Sequence, residues 1–300
     1  MNLSNMDNLE SNVLTLNDVY KSYEGKPVLQ GVNLTLKKGA VMGLLGENGS
    51  GKTTLLKTAL GLLRPNRGET LIFAEDAWNM SANTKQRLGY VAQTLDCFHW
   101  MTPQELFMYT GAFYQNWDAI KVKSLADKMH IDTTQRISNM SEGQRQQTSI
   151  LQALGHSPEL LVLDEPVASL DPSARRSFIK ELIDINLDEQ TSILFSTHIT
   201  SDIERAAADI AMLKAGKVLY QGGIDELKEQ VVRIHIASES NLADVSSDPL
   251  VLKHQVAGNT GRLTVKGFDV KGLDVWEKQL NAKITVEQLS LEDIFLELNA

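Results

Sequence analysis

The chain has 300 residues, with 29 Lys and Arg against 38 Asp and Glu, so its formal net charge is −9. With 42% hydrophobic and 22% charged residues it is a folding chain, long enough for one main domain and a smaller one. The acidic balance argues against a general nucleic-acid binder, the single cysteine (Cys97) excludes an internal disulfide and fits a reducing compartment, and no apolar run approaches the roughly 18–20 residues that span a bilayer. The segment from Met1 to Asn12 carries Asp7 and Glu10 but no Lys or Arg, so it lacks the basic region and apolar core of a signal peptide.

In chain order, Val13–Leu16 and Val32–Leu36 read as strands, the second with the alternation of a half-buried one. Ala40–Leu45 is apolar throughout and runs into glycine, as a buried strand does. Thr53–Leu62 has helical spacing and stops at Gly61 and Pro65. Residues 96–155 differ. Thr102-Pro103-Gln104-Glu105 is a capping box with proline at the first helical position, and seven of the 18 aromatic residues fall between Phe98 and Trp117. This predicts a helical insertion. Apolar runs at Leu160–Leu163 and Ile193–Phe195, each followed by a polar cluster and a helix-like stretch, predict a parallel sheet with ligands at the carboxyl ends of its strands. Beyond Gly222-Gly223, Val231–Ala237 and Arg262–Lys266 alternate like strands, and Ser290-Leu291-Glu292-Asp293 caps a last helix. The predicted domains are 13–227 and an α+β appendage over 228–300.

Gly46-Glu47-Asn48-Gly49-Ser50-Gly51-Lys52-Thr53 matches the phosphate-loop (Walker A) pattern, between a predicted strand and a predicted helix. Its glycines let successive amides converge on one anion at a helix N-terminus, Lys52 can reach the terminal phosphates, and the Thr53 hydroxyl suits Mg²⁺. Leu161-Val162-Leu163-Asp164-Glu165-Pro166 ends a buried strand in two carboxylates, which is costly unless they serve a cation or a proton. Asp164 is the candidate Mg²⁺ ligand and Glu165 the candidate general base.

With Gln93 in Gly89-Tyr90-Val91-Ala92-Gln93, Met140-Ser141-Glu142-Gly143-Gln144, Ser169-Leu170-Asp171-Pro172 and His198 in Ser196-Thr197-His198, the chain resembles the ATP-binding cassette (ABC) ATPases over about residues 13–225. These segments look like that family's glutamine loop, signature, aspartate loop and switch histidine. The resemblance implies an α/β P-loop NTPase fold: a RecA-like core with an antiparallel β subdomain and a helical subdomain, here extended by the α+β appendage. It also implies two cassettes pairing head to tail around two ATP, each ATP held by the phosphate loop of one subunit and the signature of the other. The implied nucleotide contacts are Tyr23, stacking on adenine, the loop residues Gly46, Asn48, Gly49, Ser50, Gly51, Lys52, Thr53 and Thr54, and Ser141, Gly143, Gln144 and Asp171. Glu165, His198 and Gln93 are the implied catalytic residues, and Thr53, Gln93 and Asp164 the implied Mg²⁺ ligands.

The family's usual signature reads Leu-Ser-Gly-Gly-Gln. Met140 is a near-isosteric change, whereas Glu142 sets a carboxylate beside a phosphate, so it has to point away or be neutralised. With no membrane span of its own, such a cassette works with a separately encoded permease, docked on the cytoplasmic face of the membrane, and the aromatic-rich stretch is either that joint or the helical region's own core. The one-cassette form and the Leu291–Phe295 tail look like bacterial exporter subunits, which favours export over import, while importers of the family also carry C-terminal appendages and leave the tail's role open. The alternative, a non-transport cassette ATPase on ribosomes or nucleic acid, is disfavoured by the acidity and by the short spacing from Lys52 to Ser141, which holds no heptad run.

Overall fold

Strands β1 (Asn12–Tyr23) and β2 (Lys26–Lys37) form a hairpin that turns on Glu24 and Gly25, both with positive φ, as a two-residue hairpin turn requires. The computed structural model describes residues 12–94, 98–239, 250–267, 276–278 and 281–299; Cys97, which from its residue type is expected to be a small buried or partly buried residue, lies outside them. The expected first strand, Val13–Leu16, is only the beginning of β1. The register of β1 shifts between Leu16 and Val19, with Asp18 at φ 48°, and this bulge breaks the alternation that would have carried the reading on to Tyr23. β1 also pairs antiparallel with β4 (Arg67–Ile72), which pairs with β5 (Glu75–Asp76), giving a four-stranded sheet of order β2-β1-β4-β5. Lys37, the last residue of β2, and Lys38, which follows it, are both exposed.

The second sheet has the order β10-β9-β3-β8-β7-β6. Its members are β3 (Val41–Leu45), β6 (Leu88–Val91), β7 (Leu160–Leu163), β8 (Ser192–Thr197), β9 (Asp209–Lys214) and β10 (Lys217–Gly223). The pairs β3–β8, β3–β9, β7–β8 and β6–β7 are parallel. Every residue of β7 and β8 is buried, which is why they read as continuous apolar runs with no alternation. Helix α1 (Lys52–Ala59) begins one residue before the expected Thr53 and ends before the expected Leu62, with Gly61 at φ 66° just beyond it. Leu55, Leu56 and Ala59 of α1 pack with Leu14, Leu16, Leu36, Leu44 and Leu194 into one core.

Short helix α2 (Ala82–Gln86) precedes β6, and the predicted helical insertion contains α3 (Pro103–Gly111), α4 (Ala119–Lys128) and α5 (Glu142–Leu154). The Thr102–Glu105 capping box forms as read, with Thr102 Oγ1 accepting from the Glu105 amide and Glu105 accepting from the Thr102 amide. The aromatic residues of this region divide. Phe107 is buried, Trp117 lies against Gly111 and Gly155, and Tyr114 stacks on His156 at 3.9 Å. Trp100, Tyr109 and Phe113 are exposed. Helices α6 (Pro172–Glu189) and α7 (Thr200–Ala206) follow β7 and β8.

The chain divides into two compact units, one up to Gln221 and one from Gly222. In the second, α8 (Ile224–Gln230) leads into an antiparallel sheet of order β12-β13-β11-β14, formed by β11 (Val231–Ser238), β12 (Val251–Ala257), β13 (Thr260–Lys266) and β14 (Ala282–Gln288). Val232, Ile234, Ile236, Leu263, Val265 and Ile284 make its core. Helix α9 (Leu291–Asn299) starts at the expected cap, where Ser290 Oγ accepts from the Asp293 amide. The buried Arg233 guanidinium is held by Glu287 at 3.2 Å and Glu297 at 3.0 Å, so this unit is an α+β fold with a paired interior charge.

Candidate active site

The loop from Gly46 to Gly51 runs from the end of β3 into α1. Gly49 and Gly51 adopt φ of +83° and +107°, which a side chain would strain. Gly51 is the N-cap of α1 and supplies no side-chain hydrogen bond, so the first-turn amides of this helix face the loop uncapped. The Ser50 carbonyl accepts from the Gly216 amide at 2.9 Å, which pins the loop to the β9–β10 turn. Lys52, only 6% exposed, folds back over the loop and donates to the carbonyls of Gly46 (2.8 Å) and Glu47 (3.2 Å). An open cleft of about 460 Å³ is walled by Val28, Asn48, Gly49, Gly51, Lys52, Thr53, Thr54, Gln93 and Glu165. Of the predicted site residues, this gathers one wall of the phosphate loop, Gln93 and Glu165 around one space.

Asp164 and Glu165 follow β7 directly. Asp164 is 1% exposed; its Oδ1 accepts from the Ser196 hydroxyl at 2.7 Å, and its Oδ2 is buried with no hydrogen-bond partner among the described residues. A buried, half-satisfied carboxylate one residue before the cleft-lining Glu165 fits a hydrated divalent cation. Glu165 sits at φ 48°, a left-handed conformation uncommon for a non-glycine residue, and the Ser196 hydroxyl holds it there by accepting from its amide at 2.9 Å. Its two oxygens are divided. Oε1 pairs with Lys52 Nζ at 3.1 Å and Oε2 with His198 Nδ1 at 3.0 Å. Ser196 thus fixes both acidic residues, a role the sequence reading missed. The available signal was its place at the end of β8, which pairs in register with β7.

The other predicted residues lie as follows. Ser141 is the N-cap of α5: its hydroxyl accepts from the Gln144 amide at 3.2 Å, and the Gln144 side chain accepts from the Ser141 amide at 2.9 Å. Gly143 rests against Ser169 and Leu170, since a methyl on its Cα would lie 3.2 Å from the Ser169 carbonyl oxygen. Glu142 accepts a hydrogen bond from Ser169 Oγ at 2.7 Å. Asp171 caps α6 by accepting from the amides of Ser173 and Ala174, and these bonds hold its carboxyl below the usual aspartate range. Tyr23, at the β1–β2 hairpin, is 43% exposed and is not a wall of the cleft, although Val28 of the same hairpin is. Ser141, Gly143, Gln144, Asp171 and Tyr23 are therefore not drawn into the cleft by this chain alone.

A second groove of about 330 Å³ lies between Lys85, Gln86, Phe98, Tyr109, Phe113 and Gln152. Its aromatic wall is continuous, with Phe98 against Tyr109 at 5.7 Å and Tyr109 against Phe113 at 5.3 Å, and Trp100 packs on Phe98 at 5.9 Å. No helix of the described residues is long and apolar enough to cross a membrane.

Comparison with known proteins agrees with this geometry. The ABC transporter family model matches residues 29–168. The ABC transporter ATP-binding protein NatA of Bacillus subtilis is 33% identical over 227 residues, 72% of this chain and 92% of the relative. The bacitracin transport ATP-binding protein BcrA of Bacillus licheniformis is 28% identical, covering 96% of this chain and 97% of BcrA. The Nod factor export ATP-binding protein I of Rhizobium meliloti is 30% identical over 93% of this chain and 86% of its own length. Among solved structures, the dimeric bacterial ABC transporter cassette MJ0796 shares the fold, with a TM-score of 0.64 at 22% identity over 70% of this chain and 98% of the cassette. With the phosphate loop, Gln93 and Glu165 lining one cleft and His198 held on Glu165, the chain belongs to the ABC transporter family, as an ATP-binding cassette ATPase.

Proposed function

We propose that this chain is the ATP-hydrolysing subunit of an exporter: it closes with a second cassette around two ATP and drives a separately encoded permease from the cytoplasmic face of the membrane. The observation that carries the reading is the division of Glu165 between Lys52 and His198 at the mouth of the phosphate loop. The open α1 amides and Lys52 bind the phosphates, and phosphate oxygens compete with Glu165 for the Lys52 ammonium. Once released, that carboxylate oxygen can accept the proton of an attacking water, while His198 orients the other oxygen and reaches the terminal phosphate. Thr53, Gln93 and Asp164 would hold Mg²⁺, which neutralises charge building on the phosphates.

Tyr23 is assigned to the adenine, and Ser141, Gly143, Gln144 and Asp171 to the nucleotide of the partner subunit. The aromatic wall of half-buried Phe98 and exposed Trp100, Tyr109 and Phe113, close in sequence to Gln93, supplies a desolvating surface for a permease helix. Export is supported by length: the Nod factor export relative aligns through the C-terminal unit as well as the cassette. The net charge of −9 supports a protein partner over nucleic acid or anionic lipid.

One preparation tests these assignments. The Glu165→Gln chain, extracted in detergent with ATP and Mg²⁺, should elute as a paired cassette bound to an integral-membrane protein, with hydrolysis reduced by about 10²- to 10⁴-fold. A Glu165→Gln chain that stays monomeric in ATP by light scattering removes Glu165 from the role of base. Ribosomes or DNA in place of a membrane protein remove the transport reading.

A further inference from the structure

Glu142 is the first residue of α5, the position at which a helix draws anions to its amides. If Ser141 and Gly143 receive the partner subunit's terminal phosphate, as proposed above, the Glu142 carboxylate is a built-in competitor for the same amides. It is held elsewhere. Ser169 Oγ donates to Glu142 Oε1 at 2.7 Å, a short charge-assisted bond between residues 27 positions apart. The bond is backed by packing, because the Cα face of Gly143 lies against the Ser169 carbonyl oxygen and the buried Leu170. The segment carrying Ser169 is anchored at both ends: the Ala168 amide donates to the Glu165 carbonyl at 3.2 Å, and Asp171 caps α6.

We propose that Ser169 and Glu142 are a positioning pair, in which the Ser169 hydroxyl holds the signature carboxylate on the chain's own aspartate loop and away from the amides that meet the partner's phosphate. The inference rests on the assignment of Ser141 and Gly143 to that phosphate. It gives Glu142, the residue at which this chain departs from its family's usual signature, a restrained place in a site that otherwise repels it. It also ties the signature, which serves one nucleotide, by four residues of chain to Glu165, which serves the other.

The test is an epistasis measurement on the full chain in its transporter complex, reading the ATP concentration for half-maximal hydrolysis separately from the maximal rate. Ser169→Ala frees the carboxylate and should raise that concentration about tenfold, the scale of one lost hydrogen bond to a charged group. Glu142→Gln removes the competing charge and should lower it by about two- to threefold. The double variant Ser169→Ala/Glu142→Gln should behave like Glu142→Gln alone, and Ser169→Thr, which keeps the hydroxyl, like the parent. A structural role for Ser169 predicts instead that the double variant stays as impaired as Ser169→Ala, and that result overturns the pair, as does a Ser169→Ala chain with unchanged ATP dependence. Ser141→Arg separates the two levels. If it abolishes hydrolysis, the signature assignment stands and only the pair is in question; if it leaves hydrolysis intact, the assignment and the pair both fall. Should Ser169→Ala misfold by circular dichroism, Glu142→Gln decides, since a higher half-maximal ATP concentration contradicts the pair.

Discussion

Two helix N-termini in this chain are assigned to phosphate, and they are built in opposite ways. Helix α1 begins at Gly51, which has no side chain to spend on capping, and its first residue is Lys52. Helix α5 begins at Ser141, whose hydroxyl and whose partner Gln144 satisfy two of the terminal amides, and its first residue is Glu142. The first end therefore offers bare amides and an ammonium, the second only the amides that the capping box leaves over, beside a carboxylate. The difference teaches an order of events. On the proposed assignments, nucleotide would be captured at α1 by one chain and α5 of the other would add affinity only when docking has shaped the rest of its site, so closure of the pair would report that ATP is already seated.

The strongest way to break this comparison is to make the first end resemble the second. Lys52→Ala removes the ammonium that now spans Gly46, Glu47 and Glu165, and should weaken ATP binding to the isolated chain by about 10- to 100-fold, read by titration with a fluorescent ATP analogue. Unaltered affinity would mean that the amides alone seat the phosphates. A smaller change sharpens the other side. Gln144→Ala deletes one half of the α5 capping box and should cost about 0.5–1 kcal/mol of stability in denaturant melts. ATP affinity of the single chain should stay within about twofold while pairing weakens, because on this view α5 takes no part in first capture.

The two ends were also unequally legible in the sequence. At α1 the glycine spacing records the backbone itself, since Gly49 and Gly51 take positive φ, and the apolar run before Asp164 records burial on both faces of β7. At α5, Ser141 and Gln144 have capping-box spacing, so the cap was there to be read, but its reciprocal bonds went unread beneath the signature reading. What no local pattern carries is the tertiary pairing. Glu142 meets Ser169, and Ser196 holds Asp164 and Glu165, through strands and helices that only the complete topology brings side by side. Likewise β4, Arg-Gly-Glu-Thr-Leu-Ile, has too little apolar character to announce a strand and is specified by its ladder with β1. The aromatic cluster posed a choice between core and surface, and the fold divides it: Phe107 went inward, and Trp100, Tyr109 and Phe113 outward.

A third helix end, that of α7 beyond His198, shows when an acidic residue in the first turn is not stabilising. Asp202 lies there at 1% exposure, and neither carboxylate oxygen has a hydrogen-bond partner among the described residues. Burial pushes its carboxyl above the ordinary aspartate value, against the attraction of Arg175, Arg205 and His198. An acid whose pKa is higher folded than unfolded binds its proton more tightly in the native state. Its contribution to stability is complete below the unfolded value of about 4 and is lost as pH rises through the raised native value. Asp202→Asn, which carries no charge to bury, should therefore be more stable than the parent at pH 7 and lose that advantage as pH falls to about 4, measured as paired urea midpoints across that range. An Asp202→Asn chain that is less stable than the parent at pH 7 would show that Arg175 and Arg205 outweigh burial, and that this end, like α1, is organised around a charge.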